Sequence, residues 1–264
     1  MSHFCLLGPI TIGLGDRATA PAAPKLRGLA AALMLLPRQE LSYHRLITLL
    51  WDNPPASALH NLRSYAMRLR QTLSAAQLDD RLVTTRGGDG GYRLAADDDE
   101  VDSRIFSNCT TRGRAELSRG NAPKAVELLS RGLALWRGTA GAGAQGSGLL
   151  RAHLELLNET RLAAVEVHAQ ARLMIGDRAR LIPELAGLVT LHPLRERLWD
   201  LLIRAHYLEG NHVSALAAYD RARAAMGEEL GLDVSPQLRL LHLAVLRHDA
   251  DVVRSPGQGP WATV

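Results

Sequence analysis

Residues 59–73, LHNLRSYAMRLRQTL, hold the chain's most suggestive set of functional side chains. Leu59, Leu62, Ala66, Leu69 and Leu73 recur in steps of three and four, which at 100° per residue draws one apolar stripe on an amphipathic helix. His60, Asn61, Ser64, Met67, Arg68 and Gln71 point away from that stripe, and Arg63 and Arg70 flank it. No acid occurs among the fifteen residues, although a solvent-facing helix ordinarily mixes signs to gain ion pairs four residues apart. A cationic face bearing Asn, Ser and Arg has the donors and acceptors that phosphates and base edges require. Asn61, Ser64 and Arg68 are the candidates for base edges, followed by His60 and Arg63. Arg70, Arg86 and Arg93 are candidates for phosphates or an adjacent minor groove. Leu62, Tyr65 and Leu69 are assigned to the core.

The elements around this helix follow an order that could present it. FCLLGPITIGL, from Phe4, reads as strand, turn, strand, hinged at Gly8-Pro9. PKLRGLAAALMLL starts a helix at Pro24, in which Gly28 costs ~1 kcal/mol relative to Ala unless another group must approach closely there. A second helix follows Ser42, an N-cap candidate, and runs through Leu46, Leu49 and Leu50 to Trp51. Pro54-Pro55 opens the third helix, the one quoted above. RLVTT and YRL then read as two strands joined by Arg86-Gly87-Gly88-Asp89-Gly90-Gly91, a glycine-rich hairpin tip. Strands, three helices and a hairpin are the parts of a winged helix-turn-helix, whose last helix enters the major groove while the hairpin reaches the neighbouring backbone.

Composition fits this reading. The net charge is +4, but residues 1–96 carry eleven basic and six acidic side chains, so the remainder is close to neutral. A basic N-terminal third suits a nucleic-acid-binding domain beside one that does not bind. A chain of 264 residues that is 47% hydrophobic can fill two cores. It holds no apolar run of membrane-spanning length and no secretory leader pattern, so a cytoplasmic location is expected. Cys5 and Cys109 belong to no CxxC pattern and are expected as buried thiols.

Beyond the acidic, turn-like DDDEVDSRIF the chain reads as almost wholly helical. Gly176 and Gly210 lie 34 residues apart, the tetratricopeptide period, each between two helices. Counting from them places Trp199, Leu202, Ala215, Tyr219 and Ala222 in one helix pair, and Leu181, Leu185 and Leu188 at the equivalent places of the other, closed by Pro193. Gly120 resembles an earlier copy off the regular interval. Trp136 and Trp199 read as helix-packing residues. Stacked repeats of this kind commonly hold a protein on their concave side. The string Gly141-Ala-Gly143-Ala-Gln-Gly146 matches a dinucleotide-binding pattern but follows a helix and lies in no βαβ unit, so it reads as a loop. There is no GxxxxGK[ST], GxSxG or HExxH, and no histidines at ligand spacing beside acids; no enzyme, metal or cofactor is expected.

FCLLGPITI, PKLRGLAAALMLL, LITLLW, PPASALHNLRSYAMRLRQTL and GGYRL, followed by LALWRG, HPLRERLW, GNHVSALAAYDRAR and EELGLDVSPQLRLLH, resemble the Streptomyces antibiotic regulatory protein (SARP) family across nearly the whole chain. The resemblance implies an OmpR-like winged helix followed by a bacterial transcriptional activation domain of tetratricopeptide-like helices. It further implies binding to short direct repeats in promoters of secondary-metabolite genes and assistance to RNA polymerase. The chain departs from the family in Arg63 and Met67, where Gln and Ser are usual, in a link after Trp51 that is one residue shorter, and in the Gly/Ala loop that follows LALWRG. No nucleotide-binding or phosphopeptide-binding module follows, as expected of a short family member.

The expectation is therefore a mainly α protein: a winged helix-turn-helix with small β-sheets over 1–96, a linker at 97–101, an all-α tetratricopeptide-like domain over 102–252 and a flexible tail over 253–264. Its expected partners are double-stranded promoter DNA and RNA polymerase holoenzyme, with a homodimer or tandem copies on direct repeats and no membrane, and its place is the nucleoid in the cytoplasm. The alternative is a protein-interaction adaptor that uses the helical repeats and whose winged helix does not bind DNA.

Overall fold

Gly8-Pro9 turns the chain between β1 (Phe4–Cys5) and β2 (Thr11–Ile12), which pair antiparallel with Phe4 opposite Ile12. Three helices follow, α1 (Pro24–Leu35), α2 (Tyr43–Leu50) and α3 (Ala58–Ala75). A three-stranded antiparallel sheet is ordered β3 (Leu41–Ser42), β5 (Gly91–Leu94), β4 (Leu82–Thr85). The computed structural model describes residues 3–85 and 90–254. Pro24 starts α1 at a position where its missing N–H is not needed, and the Ser42 hydroxyl accepts the Arg45 N–H at 3.2 Å to cap α2. α3 begins at Ala58, three residues after Pro55, so Ala58 takes the buried slot that periodicity assigned to Leu59; Leu59 is 37% exposed.

Two compact units emerge, Met1–Arg112 with Leu128–Ala164, and Gly113–Glu127 with Val165–Val264. This division differs from the one expected at 97–101. One core joins Phe4, Leu29, Leu33, Leu62, Leu69 and Leu94 to Phe106, Trp136, Leu150 and Leu154, which lie in or beside α4 (Asp102–Ser118), α5 (Ala122–Leu133) and α6 (Gly148–Met174). The acidic junction is tied down as well: Glu100 accepts two hydrogen bonds from the Arg81 guanidinium at 2.7 and 2.8 Å. The buried carboxylate of Asp102 accepts the Leu6 and Leu7 N–H groups at 2.8 and 3.0 Å. Burial pushes its pKa above the ordinary carboxylate value, against those two hydrogen bonds and the Arg137 guanidinium.

The Gly/Ala stretch after Trp136 lies against the first strands and helices. The N–H groups of Arg137, Gly141 and Gln145 donate to the carbonyls of Leu7, Leu6 and Pro24 at 2.8, 2.8 and 2.9 Å. Ser147 adds its N–H and hydroxyl to the Leu49 carbonyl at 2.9 and 3.0 Å. Gly28 is the point of closest approach, because a Cβ there would stand 2.2 Å from the Gln145 carbonyl oxygen. The glycine in mid-helix is thus required by the loop, and the dinucleotide-like string serves as a bracket.

In the second unit α7 (Arg178–Leu191), α8 (Glu196–Leu208), α9 (His212–Leu230), α10 (Pro236–Leu246) and α11 (Ala250–Arg254) follow the end of α6. Gly120, Gly176 and Gly210 adopt φ of 81°, 84° and 82°, and each donates its N–H three residues back while the next residue donates five back, to Glu116, Arg172 and His206. All three turns are one Schellman motif, so the Gly120 copy is real in conformation although its interval is irregular. Leu181, Leu185, Trp199, Leu202, Ala215, Tyr219 and Ala222 are buried as counted. Leu188 is half-buried, and Val189 takes the core position beside it. The Trp199 indole donates to the Pro193 carbonyl at 2.8 Å.

Candidate nucleic-acid interface

α3 turns Leu62, Ala66, Leu69 and Leu73 into the core, and this fixes what the other side presents. His60, Arg63, Met67, Arg68 and Gln71 are exposed, while Asn61, Ser64 and Arg70 are half-buried. Tyr65 is half-buried and stacks on Trp51, with centroids 6.1 Å apart, so its core assignment holds in part. Within the helix His60, Ser64, Met67 and Gln71 follow one another in steps of four, three and four, forming a ridge opposite the core, with Arg63 on one side and Arg68 on the other. From His60 to Arg68 the ridge runs about 12 Å at 1.5 Å per residue, the reach of several base pairs. The Asn61 amide donates to the Ser57 hydroxyl at 3.1 Å, which holds the side chain at the start of the helix.

The hairpin of β4 and β5 stands beside this helix, and aromatic rings join the two. Tyr43 and Tyr92 meet edge to face at 5.3 Å; the Arg63 guanidinium lies 5.6 Å from the Tyr43 ring centre, and that of Arg70 lies 5.6 Å from the Tyr92 ring centre. Arg70 also donates to the Leu82 carbonyl at 3.2 Å and the Thr84 hydroxyl at 2.7 Å. It is therefore turned toward the hairpin and braces it against α3, a use that periodicity on one helix does not reveal. Burial pushes the Tyr92 phenol up, reinforced by Tyr43, so the ring beneath Arg70 is neutral at physiological pH.

Gly91 lies in β5 opposite both Ser42 and Thr85, and a Cβ there would meet the Leu41 carbonyl oxygen at 2.2 Å. That glycine is demanded by strand packing and not by the hairpin tip. Arg93 is half-buried between the buried Tyr92 and Leu94, opposite Val83, so strand alternation turns it to the other face of the sheet. Arg86 lies outside the described residues. Among the described residues Arg63 and Arg68 take part in no ion pair, so both positive charges remain available on the surface.

The residues expected for this surface thus divide in three. His60, Asn61, Arg63, Ser64 and Arg68 share the outward side of α3; Arg93 belongs to the hairpin; Arg70 joins the two. One contributor was not singled out from sequence: Tyr43, whose only signal was its place directly after the Ser42 cap, whereas Met67 was already turned outward by the helical wheel and marked as a departure from the family.

The chain as a whole is similar to proteins of known role. Residues 101–246 match the bacterial transcriptional activator domain. The chain is 34% identical to the transcriptional regulator RedD of Streptomyces coelicolor over 246 residues, covering 92% of the chain and 70% of that relative. It belongs to the SARP family of transcriptional regulators. The regulatory protein AfsR of Streptomyces griseus is 33% identical over 96% of the chain, which spans only 25% of that relative. EmbR of Mycobacterium tuberculosis is 32% identical over 92% of the chain, which spans 63% of EmbR. The solved structure of Mycobacterium tuberculosis EmbR, in complex with a low-affinity phosphopeptide, superposes with a TM-score of 0.85 at 31% identity over 95% of the chain and 67% of EmbR. This SARP-family chain is accordingly mainly helical with small antiparallel sheets, and its relatives are regulators. No helix among the described residues is long and apolar enough to cross a membrane. Cys109 is buried as expected, whereas Cys5 is only half-buried.

Proposed function

We propose that this transcriptional regulator is a sequence-specific DNA-binding activator that occupies direct repeats in promoters of secondary-metabolite genes and engages RNA polymerase holoenzyme there. The observation that carries the reading is the outward face of α3, where exposed Arg63 and Arg68, outside any ion pair among the described residues, flank a polar ridge beside a β-hairpin. In this reading α3 enters the major groove. Asn61, Ser64 and Arg68 meet base edges, with His60 and Arg63 beside them. Arg93 and Arg86 serve phosphates or the adjacent minor groove, and Arg70 holds the hairpin at its angle. The helical repeats offer the surface for the polymerase or a neighbouring copy, as a homodimer or as tandem copies on the repeats. The protein works in the cytoplasm at the nucleoid and catalyses no reaction.

Footprinting of the full chain over promoters near its own gene, followed by transcription with purified RNA polymerase holoenzyme, tests both halves of the proposal. The expected result is protection of paired direct repeats and more transcript. Folded protein that protects nothing would assign the chain to the adaptor class, and protection without added transcript would remove the activating role.

A further inference from the structure

We infer that Met67 reads the C5-methyl group of a thymine in the bound site and so sets the base preference at one position. The inference rests on the DNA-binding role proposed above and adds to it a specificity determinant. Met67 is 56% exposed, the most exposed of the large apolar side chains on α3, and it stands in the middle of the outward ridge, between Ser64 and Gln71. The stripe of Leu62, Ala66 and Leu69 that anchors the helix lies on the opposite side, so Met67 adds nothing to the core.

Single exposed apolar residues are common on protein surfaces and in general need no explanation. Position distinguishes this one. The flanks of a helix lying in the major groove approach the two backbones, and its central ridge meets the base edges. Arg63 and Arg68 stand at the two sides of that ridge, from which a long guanidinium can also reach inward to a base edge, and His60, Ser64, Met67 and Gln71 form its centre. Three of the four can exchange hydrogen bonds with base edges, but a thioether has no hydrogen to donate and accepts only weakly. The one apolar group that a base pair displays in the major groove is the thymine methyl, so an apolar side chain there separates thymine from the other bases. An unbranched, polarizable side chain with three rotatable bonds can settle against that methyl without strain. Ser64 lies about 4.5 Å and Gln71 about 6 Å away along the axis, so Met67 addresses a base pair between those that they address.

Deoxyuridine differs from thymidine only by that methyl, so it isolates the contact. The full chain is titrated against the footprinted duplex and against a series in which each thymine in turn is replaced by deoxyuridine. The wild-type protein is expected to lose roughly three- to tenfold in affinity at one position. Met67→Ala should bind the unmodified duplex more weakly by a similar factor and show no further loss at that position, and Met67→Leu should keep the sensitivity. Matching thermal melts establish that both variants are folded. The inference is overturned if wild type and Met67→Ala respond alike to every replacement. If the wild type prefers no duplex over random DNA, the DNA-binding reading falls and the inference with it, a different and distinguishable result.

Discussion

At the scale of single residues the account turns on which arginines are spent on the fold and which are left for a ligand. Arg70 is committed to Leu82, Thr84 and the Tyr92 ring, whereas Arg68 is exposed and outside every ion pair among the described residues. A guanidinium held ready on a groove-sized helix can take a guanine O6 and N7 together. Arg68→Ala should therefore weaken binding to the cognate repeat by ~1–3 kcal/mol and relax the base preference at one position. Equal losses on cognate and random duplexes would reduce Arg68 to a phosphate contact. The sequence made Arg68 legible because its outward direction follows from the spacing of Leu62, Ala66 and Leu69. The commitment of Arg70 was hidden because its partners lie 12 and 14 residues away on another element. Leu59 misled for a local reason: the apolar count extended the stripe to it, but α3 begins at Ala58, which is the buried residue of that first turn.

Elements show the same contrast between local and distant causes. Turn chemistry and periodicity located the β-hairpin, the capped α2 and the three glycine turns, because each depends on residues within a few positions of one another. The role of the Gly/Ala stretch was not visible, since its partners just after β1 and in α1 lie more than a hundred residues earlier in the chain. Gly28→Ala separates the two causes. In an open helix it would stabilise by up to ~1 kcal/mol, but here the new Cβ would stand 2.2 Å from the Gln145 carbonyl oxygen. A lower melting temperature is expected, and a higher one would show that the loop does not need the glycine. The hairpin carries its own prediction, on a residue outside the described ones. Arg86→Ala should weaken binding to every duplex similarly and lower the slope of log affinity against log salt by about one unit, as loss of one phosphate contact requires. An unchanged slope would remove Arg86 from the interface.

Considered as a whole, the molecule's two compact units do not follow the change in composition, although the bacterial transcriptional activator domain is matched over residues 101–246. The charge asymmetry across residue 96 sets a basic region beside a near-neutral one, and Phe106, Trp136, Leu150 and Leu154 complete the core of the basic region. Charge patterning reports what faces water, and it carries no signal of which buried side chains meet. A fragment ending at Ala96 loses all four of these side chains. Removing one large buried side chain costs ~2–5 kcal/mol, and a whole domain has only ~5–15 kcal/mol to lose. Calorimetry should find no cooperative unfolding transition in that fragment; a transition matching that of the full chain would show that the winged helix stands without residues 128–164. Because a fragment ending at Ala96 lacks part of that core, the central claim is best tested on the intact chain. Competition gel shifts would set the footprinted direct repeat against the same duplex with its repeat bases shuffled, at ~150 mM salt. Sequence reading through α3 predicts that the native repeat binds at least ~10³-fold more tightly. Equal affinity for the two duplexes would contradict it.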